Sequence, residues 1–217
     1  MRALAVYPGT TGRPGPHLDC GFPEHRRCEE SRTMPHPALI LIDIQNDYFP
    51  DFPGAKMPLE GMALAAREAQ ALLEVFRARG WPRFHVRHDS VRPGATFFLP
   101  GTPGAQTHAV VAPLANEKVI VKNYPNSFRD TALLDELRAA SSNEVVICGA
   151  MSNMCIDATT RAAADLGFKC TVVHDACAAR ALKFGARAVP ADDVHASFMA
   201  ALSGVYARVC ARAELFT

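Results

Sequence analysis

Three residues in this sequence combine a reactive side chain with a position where a parallel sheet would present it. Asp43 directly follows the aliphatic run Ala38-Leu-Ile-Leu-Ile42. A carboxylate there is partly desolvated, which raises its pKa unless a cation lies nearby. Lys122 closes a second run, Lys118-Val-Ile-Val-Lys122. Lysines usually lie on solvated surface, but a buried carboxylate at the same sheet edge would need this one as its positive partner. Cys155 lies in Gly149-Ala-Met-Ser-Asn-Met-Cys155-Ile-Asp-Ala-Thr-Thr160, where a strand passes through a tight turn into the first turn of a helix. The helix macrodipole and unpaired amides at such a place favour the thiolate, the nucleophilic form. The same amides can receive an oxyanion once the sulfur attacks a carbonyl. Singly, each residue has a plainer reading: a turn-capping aspartate, a surface lysine, an inert core cysteine. Together, a thiol, an acid and a base form an activated-nucleophile arrangement.

The elements that must position these residues alternate along the chain. Ala38–Asp43 reads as a strand covered on both faces, being continuously aliphatic. A helix follows with Ala65, Ala69, Leu72, Leu73 and Phe76 on one face, stopping at Gly80 with Pro82 beyond. Arg83–His88 and Lys118–Lys122 read as the next strands, separated by a long Pro- and Gly-rich loop, 89–116. Asp130 is expected to cap a short helix through Leu137, and Glu144–Gly149 forms a further strand. A helix from about Asn153 to Gly167 and a strand Cys170–His174 come next. A final helix carries Val194, Phe198, Ala201, Leu202, Val205 and Val209 on one stripe. Such alternation predicts an α/β fold: one three-layer α/β/α domain with a mostly parallel, Rossmann-like sheet and right-handed crossovers. Ligands of these sheets sit beyond the carboxyl ends of the strands, where Asp43, Lys122 and Cys155 fall.

The 217 residues suffice for one such domain. A net charge of +1 gives no field to recruit nucleic acid, and no apolar run reaches the ~18 residues of a membrane span. Seven cysteines form no C-x-x-C and pair with no histidine at structural-zinc spacing. Free thiols in a reducing, cytoplasmic setting are expected. Residues 1–33 hold Pro and Gly with a charged run from Glu24 to Arg32 and no sustained apolar period. They read as a disordered extension or a misassigned start, or else as an arm packing on a neighbouring subunit, leaving 34–217 as the domain.

The segments Ile42-Asp-Ile-Gln-Asn-Asp-Tyr-Phe49, Val121-Lys-Asn-Tyr-Pro-Asn-Ser-Phe128 and Gly149–Ala163 together resemble the isochorismatase-like cysteine hydrolases. The resemblance implies that family's fold and a catalytic Asp43–Lys122–Cys155 triad. It also implies a non-proline cis peptide between Ala150 and Met151, and an oxyanion hole from the backbone N–H groups of Met151 and Cys155. The implied chemistry is hydrolysis of a C–N bond in a small amide, ureido compound or lactam through a thioester. Vinyl-ether hydrolysis of the isochorismatase type is the alternative within the family. A non-catalytic binding protein on the same fold is the alternative outside it. A nucleotide-binding module ranks low, because Gln45-Asn-Asp-Tyr48 stands where a glycine-rich turn would be needed.

Metal-dependent nicotinamidases of this family hold a cation near the second strand. Here Asp89 fits the acid, but Val91 stands where a ligand histidine is expected, and His85 and His88, three apart on a strand, point to opposite faces. No catalytic metal and no other cofactor is therefore expected. The loop Phe97-Phe-Leu-Pro-Gly-Thr-Pro-Gly104, followed by His108, looks more like the non-metal amide hydrolases, with streptothricin hydrolase as a relative. Phe49, His88, Phe98, Tyr124 and Phe128 are the candidate substrate-binding residues, each with core packing or a structural role as the alternative. The expected partners are a small-molecule substrate and further copies of the chain, as a dimer or tetramer.

Overall fold

Short aliphatic strands with two buried faces build the centre of the molecule. All five residues of β1 (Ala38–Ile42) are buried. Leu39 and Leu41 enter one core layer, and Ala38, Ile40 and Ile42 enter the other. The first layer is covered by α1 (Met62–Ala78), through Ala65, Ala69, Leu72, Leu73 and Phe76. The second is covered by α2 (Leu133–Ala139), α3 (Asp157–Asp165) and α4 (Ala191–Leu202), through Leu137, Ala163, Met199 and Leu202. Each fully buried Leu or Phe contributes about 1.5–3 kcal/mol by leaving water. The computed structural model describes residues 36–216, and the expectation for residues 1–33 lies outside them. None of the helices among the described residues is long and apolar enough to cross a membrane.

Beside β1 stand β2 (Arg83–His88) and β3 (Lys118–Lys122) on one side, and β4 (Glu144–Ala150) and β5 (Lys169–Ala178) on the other. A hairpin of β6 (Leu182–Phe184) and β7 (Arg187–Val189) follows, and β8 (Arg208–Cys210) completes the sheet. The order is β3-β2-β1-β4-β5-β8, every pairing parallel. The strand order reverses between β1 and β4, which opens a crevice at their carboxyl ends.

Three local expectations are corrected. The last helix stops at Leu202: Ser203 is extended, and Gly204 turns the chain with a φ of 81°. Val205 is then solvent-exposed and Val209 lies in β8, so the apolar stripe through Val209 continued a period that the backbone had already left. Asp130 does not cap α2; it adopts a left-handed φ of 56°, while the Thr131 hydroxyl accepts the Leu133 N–H. The β6–β7 hairpin was missed, its three-residue strands being too short to show a period.

At the amino ends of β2 and β3, opposite the crevice, the buried carboxylate of Glu117 gathers cations. Arg77 from α1 binds it in bidentate fashion at 2.8 and 2.7 Å, Arg83 donates at 2.5 Å, and His85 Nε2 lies at 3.0 Å. The Leu114 N–H completes the set at 2.9 Å. Burial pushes the Glu117 carboxyl up, but the bonds from Arg77, Arg83 and the Leu114 amide outweigh it and hold it well below the usual carboxylate range. Removing one partner of a buried ion cluster costs about 3–5 kcal/mol, so Glu117→Gln should lower stability by about 3 kcal/mol or more at neutral pH. A depressed folded-state pKa contributes stability that is present above ~4.3 and lost as pH falls below it. Urea melts should therefore show the gap between wild type and Glu117→Gln narrowing in acid. A gap absent at neutral pH, or unchanged in acid, would contradict this role.

Candidate active site

The three predicted residues meet at the carboxyl ends of adjacent strands. Asp43 follows β1 with its N–H bonded to Val86 O of β2 (2.9 Å) and a left-handed φ of 53°. A non-glycine residue in that conformation costs about 1–2 kcal/mol, and the turn drives its carboxylate into the crevice. Lys122 ends β3 in register with His88 on β2. The chain after β4 approaches Asp43 because Gly149 lacks a side chain: a Cβ there would stand 1.9 Å from Ile42 O. The Ala150–Met151 peptide that follows is cis. Ser152–Ile156 then make a π-helical turn, with the Ile156 N–H reaching Met151 O at 3.2 Å, before α3 begins. Such turns recur at functional sites. The turn is pinned through Ser152 Oγ, 2.8 Å from His195 Nδ1 on α4 and 3.2 Å from Ala178 O.

The Lys122 ammonium is the hub. Its nitrogen lies 2.7 Å from Asp43 Oδ2, 3.0 Å from His88 Nδ1, 3.1 Å from Tyr124 O and 3.2 Å from Cys155 Sγ. An ammonium has three protons, so four acceptors compete for them. Asp43 and Lys122 are both fully buried at their charged ends, and Asp43 Oδ1 has no hydrogen-bond partner. Burial alone would lower the Lys122 pKa, but the charge of Asp43 and the hydrogen bonds to Asp43 and Cys155 hold it above its usual value. His88 is pushed down by burial and by Lys122, which leaves its ring neutral.

Cys155 behaves otherwise than its place in the sequence predicts. Burial first, and Asp43's charge second, push its thiol well above the usual cysteine range, and Lys122 does not reverse this. The resting sulfur is therefore a thiol, because desolvation outweighs the favourable position ahead of α3. Cys148 and Cys170 are also raised by burial, and neither lines the crevice.

A cavity of about 290 Å³ opens over Cys155. His88, Phe98 and Tyr124 line it, together with Met151. Phe49 and Phe128 do not, which corrects their assignment. Phe49 stacks on His108 at 3.6 Å in the core beneath α1, and Phe128 stacks on Phe168 at 6.2 Å on the opposite face of the sheet. Tyr48, Ser90, Arg92, Phe97 and Met154, none of them among the candidates, complete much of the wall. The short 3₁₀ turn Asn46–Tyr48 sends neighbouring aromatics to different places, Tyr48 to the cavity and Phe49 to the core. Gln45 and Asp47 act from behind. Gln45 exchanges hydrogen bonds with both the N–H and the carbonyl of His88, and Asp47 Oδ2 accepts the Phe98 N–H at 2.7 Å.

Among the described residues, Asp43, His88 and Cys155 form the one group with ligand atoms close enough for a metal ion. The Lys122 nitrogen already lies within 3.2 Å of an atom of each. Asp89, His85 and His108 do not converge. Asp89 pairs with Arg87, His85 with Glu117, and His108 with the Phe49 ring.

Known proteins share this architecture. An uncharacterized isochorismatase family protein of Bacillus subtilis, YddQ, is 51% identical over 172 residues, covering 79% of this chain and 94% of its own. A streptothricin hydrolase of Streptomyces noursei is 35% identical over 64% of this chain and 48% of its own. A maleamate amidohydrolase of Pseudomonas putida is 32% identical over 64% and 70%. The crystal structure of an isochorismatase hydrolase from Oleispira antarctica matches with a TM-score of 0.80 and 52% identity, over 82% of this chain and 95% of that one. Residues 37–214 match the isochorismatase domain, and with that span, that fold and that identity the chain belongs to the isochorismatase family.

Proposed function

We propose that this isochorismatase-family hydrolase cleaves a C–N bond of a small amide, ureido compound or lactam through a thioester on Cys155. One observation carries the reading: a single buried ammonium, Lys122, touches both the Asp43 carboxylate and the sulfur of Cys155, which lines a small cavity. Amidohydrolase and streptothricin hydrolase relatives support the same class.

The chemistry follows from the protonation states. Asp43 Oδ1, buried and unpartnered, takes the thiol proton as the sulfur attacks the substrate carbonyl and the S–C bond forms. Lys122 lies within reach of both groups, so its ammonium follows the negative charge from carboxylate to sulfur without moving far. The carbonyl oxygen becomes an oxyanion, for which the N–H groups of Met151 and Cys155 are the proposed donors. The tetrahedral intermediate collapses, the C–N bond breaks, and the leaving nitrogen carries away the proton held by Asp43. Water then attacks the thioester, giving its proton to Asp43. The C–S bond breaks, the acid departs and the thiol is restored. The net reaction consumes one water and yields an acid and an amine or ammonia.

Two outcomes are expected. In a screen of small amides, ureido compounds and lactams read by mass spectrometry, Cys155→Ala should lose turnover by about 10³-fold or more at unchanged thermal stability. Cys148→Ala should keep turnover, and chelation should leave it intact. Wild-type-like turnover by Cys155→Ala, or activity removed by chelation and restored by a metal, would overturn the mechanism. The second outcome concerns the ion pair. Asp43→Asn and Lys122→Met should each lose about 3–5 kcal/mol of stability, since each strands a buried charge, while the double variant should lose less than the sum. Additive losses would show that the two charges are not coupled.

A further inference from the structure

The cavity wall carries polar groups that this mechanism leaves unused. The Tyr48 side chain is 2% exposed, yet its hydroxyl makes no hydrogen bond to any described residue. The Ser90 hydroxyl is likewise unpartnered, its backbone N–H being the group that bonds, to Phe98 O. His88 accepts the Lys122 proton at Nδ1, so its neutral ring carries a proton on Nε2 and can only donate there. Arg92 stands exposed at the rim with no ion pair or side-chain hydrogen bond among the described residues. Its charge reaches the site, since it contributes to lowering His88.

The charges around this wall do not cancel Arg92. Asp43 is neutralised by Lys122, and Asp89 is paired with Arg87. Asp47 is felt by Tyr48, but its two oxygens are held by the Lys56 and Phe98 N–H groups. Burial first, and then the Asp43 carboxylate, keep the Tyr48 phenol protonated. The four groups named are two hydroxyls, which donate or accept, and two groups that only donate, and Tyr124 and Asn123 add a hydroxyl and a carboxamide to the same lining. A carboxylate satisfies all four. An ammonium would find only neutral, weak acceptors and a repelling guanidinium.

We propose that the substrate is anionic: a small amide or ureido compound whose second polar group is a carboxylate, bound by Arg92 with Tyr48, Ser90 and His88 while its carbonyl meets Cys155. The cavity of about 290 Å³ lies at the small end of ligand pockets, which run from about 300 to 1,000 Å³. A short chain bearing both groups suits a site of that size. This assignment rests on the reading of the site as an amide hydrolase, and it makes Arg92 the residue that sets specificity.

The test uses three amides of equal length that differ in charge: succinamate, succinamide and 4-aminobutanamide. Calorimetric titration into the full-length Cys155→Ser protein should find succinamate binding at least about ten-fold tighter than succinamide, with 4-aminobutanamide weakest. Arg92→Ala should bring the succinamate-to-succinamide ratio close to one, Arg92→Lys should retain part of it, and added salt should shrink it. In the wild type the same preference should appear in KM more than in kcat. Equal binding of the three, tighter binding of the amine, no binding of any, or a preference that survives Arg92→Ala would overturn the proposal. Arg92-dependent binding of succinamate with no amide hydrolysed would instead sink the amidase reading and leave the anion site standing. Hydrolysis without charge preference would do the reverse.

Discussion

The buried ammonium of Lys122 is the constraint on which the upper half of the molecule depends. Withdrawing such an ion from water costs several kcal/mol unless partners replace the lost hydration. The fold supplies four, each from a different segment: Asp43 after β1, His88 at the end of β2, the Tyr124 carbonyl after β3, and Cys155 beyond β4. No one of these segments could place its acceptor alone. Parallel pairing aligns the strand ends, Gly149 lets β4 close on Ile42, and Thr159 on α3 accepts the Ser127 N–H at 3.0 Å, tying the Tyr124 loop to the helix that follows Cys155. Solvating the lysine and assembling the site are the same act of folding.

That arrangement decides how the sulfur can be used. A thiolate at rest would be a second anion beside Asp43 in a buried site, and burial together with that carboxylate keeps the thiol protonated. In the proposed mechanism, nucleophilicity is then generated during the reaction. When the proton passes to Asp43, one negative charge moves from oxygen to sulfur, and the ammonium contacts both positions beforehand. The environment needs little reorganisation, which is where preorganised sites gain most of their advantage over water.

The convergence of Asp43, Lys122 and Cys155 was legible because each closes or follows a short aliphatic run that signals a strand, even on the half-exposed β3. The three-layer architecture was legible for the same reason. The state of the thiol was not, since local sequence reveals the helix start after Cys155 but not the carboxylate arriving from β1, 112 positions earlier in the chain. The cavity wall was only partly legible. Residues 89–116 carry no period, so Phe98 stood out only through the resemblance of its loop, and nothing in the sequence distinguished Arg92 from other loop residues. Tyr48 and Phe49 are chemically alike and adjacent, and only the 3₁₀ turn separates cavity from core. The stripe from Val194 to Val209 misled because Gly204 ends the helix inside an intact apolar period.

Two buried charge clusters occupy opposite ends of the same strands, and they differ in where their polar atoms are left unsatisfied. At the amino ends, the Glu117 oxygens are saturated by two arginines, a histidine and an amide. A proton has no reason to go there, and the cluster clamps α1 to β2 and β3. At the carboxyl ends the balance is incomplete in two ways. Four acceptors share three ammonium protons, and Asp43 Oδ1 is the one buried carboxylate oxygen among the described residues without a partner. Unsatisfied buried polar atoms are costly and rare in folded proteins. Here the unpartnered oxygen is the one that accepts a proton in the proposed mechanism, close to the thiol that would lose it. In the first cluster the carboxylate is saturated and the unpartnered atom is the ring Nδ1 of His85; in the second it is an oxygen of the carboxylate itself, the atom to which the proposed mechanism sends a proton.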